Sequence, residues 1–353
     1  MYQKHPLKVA HVIKNTPETV VVTFQVPPHL KEAYRYEQGQ HITLIKSIDG
    51  SEIRRSYSIC SSVSEEALTV AIRKVEGGLF STFANDQLVA GDELEVMTPS
   101  GKFNVDLNPT EQRTYVAFAA GSGITPIMSI IKTTLEIEPC ARFMLFYGNR
   151  TGRSTLFREE IAQLKNRFID RFSYWHFLSQ EDLEIPFFQG RLDSQKIRGI
   201  FGRMVDISQV DHTFVCGPEA MIDAVIEVTA EAGVPSMLVH HEKFLSEGQK
   251  PAAPKRAMAT EGLAKINLIM DGDEKSIRAD HEVSILDAAV DGGLDAPFAC
   301  KGGVCCTCRA KVLKGDVEMV LNQGLEPEEV AAGYVLTCQS FAVSEEVTLS
   351  FDE

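Results

Sequence analysis

Four residues separate Cys300 from Cys305, two separate Cys305 from Cys308, and twenty-nine more precede Cys338. That spacing restricts the fold around it, because three thiols must lie on one loop wrapped about a common centre while the fourth arrives from a separate element. C-x4-C-x2-C with one distant cysteine is the spacing of a [2Fe-2S] cluster. A structural zinc site is the nearest alternative, but zinc favours paired C-x2-C units, and a single such pair occurs here. Gly302 and Gly303 are expected to take positive φ and turn backbone N–H groups toward the sulfurs, which tunes a cluster's potential. Cys306, wedged between two candidate ligands, is expected not to be one. Of the other three cysteines, Cys60 and Cys140 read as small buried apolar residues, and Cys216 returns below. Clustered cysteines in a chain with no secretory signal indicate ligation in a reducing compartment rather than a disulfide framework.

The chain around this loop has 353 residues and a formal net charge of −14. That length suggests two or three domains. No apolar run approaches the length of a membrane-spanning helix, and Met1 to Pro6 shows no secretory leader, so a cytoplasmic protein is expected. No block of Lys and Arg exists to neutralise a phosphate backbone, which argues against nucleic-acid binding. Residues 1–108 alternate polar and apolar over short runs broken by turns, the pattern of an antiparallel β domain, expected to be a barrel. From residue 109 to 245 buried strands alternate with helical stretches. Strands are expected at 115–120, 143–147, 173–178 and 213–216, which implies an α/β domain with a parallel sheet. Residues 246–262, rich in Pro, Ala and Lys, read as a linker. Residues 263–353 form a third unit with 7 Lys+Arg against 17 Asp+Glu, acidity that suits either solubility or docking on a basic face. Within it Ser284 is expected to cap a short helix ending at Gly292-Gly293.

Gly121-Ser122-Gly123-Ile124-Thr125-Pro126 follows a buried strand and opens a helix. Thr125 is expected as N-cap and Pro126 as the first helical residue, with Gly121 and Gly123 letting the turn's amides receive a pyrophosphate. A dinucleotide site built for NAD usually carries an acidic residue about 20 positions past the glycines. Here Arg150 and Arg153 follow the second strand and offer positive charge for a 2′-phosphate, so NADPH is expected over NADH.

Arg55-Ser56-Tyr57-Ser58, followed by Gly77-Gly78-Leu79-Phe80-Ser81, resembles the RxYS and GGxxS pattern of the ferredoxin-NADP reductase family. The resemblance implies a bound FAD, with Arg55 at its pyrophosphate, Ser56 beside it, Tyr57 against the isoalloxazine and Ser58 near N5. Gly77 and Gly78 would admit phosphate oxygens to backbone amides, and Ser81 would cap the helix that follows. Cys216-Gly217-Pro218 resembles the family's element beside the nicotinamide. Glu242 and Phe244 close the domain, Glu242 joining Ser58 and Cys216 as the catalytic set and Phe244 either stacking on the flavin's other face or serving as core. His240 and His241 have no metal-ligand spacing and read as structural. One departure is Glu37-Gln38-Gly39, where the family commonly places Pro before the Gly.

The helix at Ser284 followed by Pro297-Phe298-Ala299-Cys300 resembles the β-grasp fold of plant-type ferredoxins, an α+β domain. Taken whole, the chain resembles ferredoxin-NADP reductase-like flavoproteins with a C-terminal ferredoxin domain, and most of all the reductase subunits of phenylacetyl-CoA epoxidase complexes. That resemblance implies electron flow from NADPH through FAD and the [2Fe-2S] cluster to the oxygenase subunits of a multicomponent di-iron monooxygenase. Two alternatives stay open. One is a reductase serving a Rieske or steroid hydroxylase or a hybrid-cluster protein; the other is a redox sensor without steady turnover.

Overall fold

The computed structural model describes residues 3–244 and 262–353, so the expected linker falls outside the described residues except for Gly262. The fold divides into two units, one of Pro6–Ile42 with Tyr57–Phe244, the other of the described parts of Met1–His5, Thr43–Ser56 and Leu245–Glu353.

Period-two alternation produces the first sheet. Its strands are β1 (Lys4–Thr16), β2 (Thr19–Gln25), β3 (His41–Ile48), β4 (Ser51–Ser58), β5 (Leu68–Arg73) and β6 (Glu93–Met97), in the order β4-β3-β6-β1-β2-β5. Val20, Val22 and Phe24 of β2 are buried, while Val21 and Thr23 between them are half-buried. Each such fully buried side chain contributes about 1.5–3 kcal/mol. β2 pairs antiparallel with both β1 and β5, placing Val22 opposite Val12 and Val70. Just past β4 an antiparallel bridge joins Ile59 to Val70, and Cys60 N donates to Thr69 O at 2.9 Å. The sheet therefore curls back on itself, as the expected barrel requires. Helix α1 (Leu79–Asp86) follows β5.

The second sheet is parallel. It comprises β7 (Thr114–Ala120), β8 (Arg142–Asn149), β9 (Phe172–Leu178), β10 (His212–Cys216) and β11 (Val239–Glu242), ordered β11-β10-β7-β8-β9. Its crossovers carry α2 (Ile124–Ile137), α3 (Arg158–Arg167), α4 (Ser194–Arg203) and α5 (Glu219–Glu231). Five consecutive residues of β7 are buried, as a strand covered on both faces demands. Phe118, Phe146 and Trp175 stack across three neighbouring strands, at 5.3 and 4.9 Å between ring centroids. The chain leaves β7 in one direction toward β8 and returns on its other side at β10. The carboxyl ends of β7 and β10 therefore flank a topological switch point, the place where such sheets bind ligands.

The C-terminal domain has β12 (Leu263–Met270), β13 (Asp273–Asp280), α6 (Ile285–Asp291), β14 (Arg309–Lys314), β15 (Val317–Met319), α7 (Pro327–Ala331), β16 (Tyr334–Leu336), β17 (Ser340–Ala342) and β18 (Glu346–Ser350). Five strands form a mixed sheet of order β13-β12-β18-β14-β16, in which β12 runs parallel to β18 and antiparallel to β13. Ile285, Leu286 and Ala289 of α6 share a core with Ala264, Ile266 and Leu268 of β12 and Val347 and Leu349 of β18. Ser284 caps α6 as expected, accepting from Asp287 N at 3.1 Å. Among the described residues no helix is long and apolar enough to cross a membrane.

Three local expectations are corrected. Helix α2 begins at Ile124, after a 3-10 turn over Gly121–Gly123, so Thr125 is not the N-cap and Pro126 is not its first residue. The hydroxyl of Thr125 instead donates back to Ser122 O at 2.9 Å, inside the first turn. Ser81 does not cap α1. Gly78 occupies that position without a side-chain bond, and Ser81 Oγ reaches outside the helix to accept from Val75 N at 3.2 Å. Cys140 is exposed rather than buried, whereas Cys60 is buried as expected. Cys140 sits in the turn before β8, where the chain passes the surface.

Candidate active site

Three side chains expected to act together do meet, although sequence separates them widely. Ser58 ends β4 and is buried, and its Oγ donates to Glu242 Oε2 at 3.4 Å across 184 residues. Glu242 ends β11 in parallel register with Cys216, which ends β10 and is itself opposite Ala119 of β7. Burial raises the Glu242 carboxyl to about 8, the Ser58 hydrogen bond pulling weakly the other way. Burial, and then the neighbouring Glu242, hold the Cys216 thiol well above its ordinary range. At neutral pH the site therefore keeps a protonated carboxyl and a neutral thiol, two groups able to hold a proton in an apolar setting.

The glycine turn is pinned to this set. A Cβ on Gly123 would lie 2.1 Å from Cys216 O, so only glycine permits β10 to pass that close. Gly217 is crowded too, with Met221 Cε 2.6 Å and Ala120 Cβ 3.1 Å from where its Cβ would be, and Pro218 opens α5 as N-cap. Tyr147 Oη donates to Gly121 O at 3.1 Å from the neighbouring strand. Arg73 Nη1 lies 3.7 Å from where a Gly121 Cβ would be. Sequence reasoning missed both Tyr147 and Arg73, because each reaches the turn from another strand and no motif contains it. Asn149 Nδ2 and His176 Nδ1 are buried without a hydrogen-bond partner on the neighbouring strands β8 and β9. The Asn149 amide, at the carboxyl end of β8 next to the switch-point strand β7, fits a dinucleotide. Arg150 and Arg153, just beyond β8, are exposed.

The flavin motif occupies the second half of β4 and the turn that opens α1. Arg55 is half-buried, its Nη1 donating to Arg54 O at 2.8 Å, and Ser56 Oγ is 3.1 Å from Thr43 Oγ1. Tyr57 is half-buried with its ring 5.8 Å from that of Phe80. Gly77 takes φ +75° with open space where a Cβ would be, and Gly78 leaves the start of α1 without a side-chain cap. The Gly78 amide donates to Val75 O at 3.0 Å, and the amides of the first turn of α1 beyond it fit a phosphate. Phe244 is 40% exposed. The departure at Glu37-Gln38-Gly39 keeps a tight turn, since Gly39 has φ +83° and a Cβ there would collide with Phe103 O. His240 packs on Phe214 at 4.9 Å and shares a 3.1 Å hydrogen bond with His212, a structural role.

In the cysteine loop the thiols come together in twos. Cys300 is within hydrogen-bonding reach of Cys305, and Cys308 of Cys338. Among the described residues no three His, Cys, Asp or Glu side chains converge where a single metal ion could sit. Two thiol pairs side by side offer the four thiolates that a two-iron cluster takes. Gly302 N donates to Cys300 Sγ at 3.3 Å, as expected of the loop. Positive φ falls on Lys301, Gly303 and Cys306 rather than on Gly302. The Cys306 thiol turns to Val304 O and packs beside Gly324, away from its neighbours' pairing.

Known proteins match this architecture from end to end. Residues 6–105 match the oxidoreductase FAD-binding domain, 118–227 the oxidoreductase NAD-binding domain, and 268–343 the 2Fe-2S iron-sulfur cluster binding domain. The E subunit of 1,2-phenylacetyl-CoA epoxidase from Escherichia coli K12 is 43% identical over 351 residues, 99% of this chain and 98% of that protein. The ferredoxin reductase component of Rhodococcus rhodochrous 3-ketosteroid-9-alpha-monooxygenase is 29% identical over 98% of this chain and 96% of its own length. Phthalate dioxygenase reductase, at 22% identity, shares the fold with a TM-score of 0.60 over 99% of this chain and 98% of its own. Three domains in one order, matched along the whole length, make this protein a reductase of the ferredoxin-NADP reductase-like flavoprotein family that ends in a [2Fe-2S] domain, the family to which the epoxidase's E subunit belongs.

Proposed function

We propose that the chain is the NADPH-dependent reductase of a multicomponent di-iron monooxygenase acting on phenylacetyl-CoA. The full-length 43% identity to a phenylacetyl-CoA epoxidase component carries this reading. Residues 1–108 would hold FAD, 109–245 the dinucleotide, and 263–353 the cluster through Cys300, Cys305, Cys308 and Cys338, with 246–262 as tether. When bound, the flavin would accept an electron pair from the nicotinamide and release it one electron at a time toward the iron-sulfur centre.

The chain's own contribution is binding, orientation and proton placement. Arg55 and Ser56, with the first-turn amides of α1 that Gly77 and Gly78 lead into, take the flavin's phosphates, while Tyr57 and Phe244 bracket its ring. Ser81 braces the loop that presents those amides. Gly121, Gly123, Thr125 and Pro126 shape the turn for the dinucleotide's pyrophosphate, and Gly217 and Pro218 border its nicotinamide. Ser58, Cys216 and Glu242 line the place where flavin and nicotinamide would meet, Glu242 keeping its proton near neutral pH. Arg150 and Arg153 are exposed and free to meet a 2′-phosphate, which favours NADPH.

Electron delivery would use the acidic C-terminal domain, net −10 over residues 263–353, against a basic face of the oxygenase. Glu326 and Glu328 are exposed, whereas Glu329 is tied to Arg309 at 3.1 Å, so the first two are the docking charges. The test is reconstitution of NADPH-driven electron delivery against purified oxygenases. Turnover with a di-iron phenylacetyl-CoA epoxidase, and none with a Rieske-type steroid hydroxylase, is expected; the reverse result would replace the acceptor.

A further inference from the structure

The function proposed above gives Arg54 no role, yet it is the best-buried charged group on β4. Its side chain is 6% exposed, with Nε 2.7 Å from Glu52 Oε1 and Nη2 3.3 Å from Asp295 Oδ1. The guanidinium carbon lies 4.2 Å from the centre of the Phe298 ring, and Lys301 Nζ approaches the same ring at 4.8 Å. Lys4 adds a second cation, 2.7 Å from Asp295 Oδ2. Burial works against the charge on Asp295, but Lys4 and Arg54 outweigh it and hold the carboxyl below the usual range. The segment Thr43–Ser56, which carries Arg54, belongs to the same compact unit as the C-terminal segment. Phe298 stands two residues before Cys300, and Arg54 one residue before Arg55.

A carboxylate beside an aromatic face is the chemistry that recognises a guanidinium, since the carboxylate accepts its N–H groups and the ring presents its negative face to the cation. We propose that Asp295 and Phe298 form a guanidinium-docking face beside the cysteine loop, and that Arg54, assisted by Lys4, is its resident intramolecular occupant. The face seats that loop on the strand leading into the Arg55-to-Ser58 flavin motif. It is also built to release. Asp295 is 64% exposed, so its ion pairs are weak and screened by salt, and Arg54 keeps Glu52 when it lets go. The electron-transfer significance of this face rests on the cofactor assignment above.

Amide hydrogen exchange on the intact holoprotein tests it, with FAD, iron and sulfide measured on the same samples. Exchange reports the docking face whichever groups are bound, so failure of the cofactor assignment and failure of the face are read separately. In Asp295→Asn and in Lys4→Gln, amides of residues 51–56 and 295–300 should exchange roughly threefold to tenfold faster. The double variant should add little to the larger single effect, because both remove one interaction. Raising salt should speed exchange of the same two segments in the wild type and much less in Asp295→Asn. Exchange in both segments unmoved by either substitution and by salt would overturn the proposal, as would fully additive effects of the two substitutions.

Discussion

Replacing Glu242 by Gln should remove a pH dependence of stability that the fold imposes on this one carboxyl. Burial raises its pKa from 4.5 to about 8, so between those values the folded chain keeps a proton that the unfolded chain has lost. Stability then falls as pH rises, by about 1.4 kcal/mol per unit. Between pH 5 and pH 8 the wild type should lose ~3 kcal/mol relative to Glu242→Gln, whose amide does not titrate. His212 and His240, both lowered by burial, act in the opposite sense at acid pH, but equally in the two proteins, so the difference isolates Glu242. The assay is urea unfolding followed by the fluorescence of Trp175, the chain's single tryptophan, which lies on β9 of the same sheet as Glu242. A difference of this size corresponds to a midpoint shift on the order of 1 M urea. Parallel midpoints for the two proteins across pH 5 to 8 would refute a proton held at Glu242.

Cys338→Ser should lose iron and acid-labile sulfide while retaining FAD, and Cys306→Ala should retain all three; elemental analysis with a visible spectrum checks both, and bound zinc without sulfide would contradict the cluster. Arg150→Ala and Arg153→Ala should each raise KM for NADPH by about threefold to tenfold and leave KM for NADH little changed, as loss of an exposed charge contact implies; a wild-type preference for NADH in kcat/KM would remove the reason for those arginines. Electron delivery to the oxygenase should slow as ionic strength rises from 0.1 to 1 M, where the screening length drops from about 10 to about 3 Å. Reversal at Glu326 and Glu328 should reproduce that slowing without bleaching the cluster, as stopped-flow spectra would record.

The parts of this molecule legible in the sequence are those fixed by short-range periodicity. Alternation in Val20, Val22 and Phe24 and the unbroken apolar run of β7 located the sheets, because burial on one face or on two imposes those patterns directly. The cysteine loop was legible for a similar reason, since ligand geometry restricts spacing. The start of α6 was legible through Ser284, but those of α1 and α2 were not. Local capping rules place Thr125 and Ser81 at N-caps, but a 3-10 turn extends α2 backward through Gly123, and the amide of Val75 recruits Ser81 for the loop. Arg54 and Asp295 were invisible as a pair, because 241 residues separate them and each alone is an ordinary surface-type residue. Ser58 and Glu242 were named for the site through resemblance; their hydrogen bond is a product of the tertiary fold.

The placement of Glu242 on β11 bears on how the protein is made. Ser58 leaves the ribosome 184 residues ahead of Glu242, an interval of ~10–40 s at ordinary rates of synthesis. Throughout its last part β10 lies at the border of the sheet with four of its five residues apolar or buried and its outer backbone groups unpaired. An open strand of that composition invites pairing with another nascent chain. Only the arrival of Val239–Glu242 closes it, through parallel register from Thr213 to Cys216. The strand that delivers the site's proton-holding group thus also covers β10 and leaves the sheet a shorter, more polar edge of its own, and chains truncated between α5 and β11 should be prone to associate.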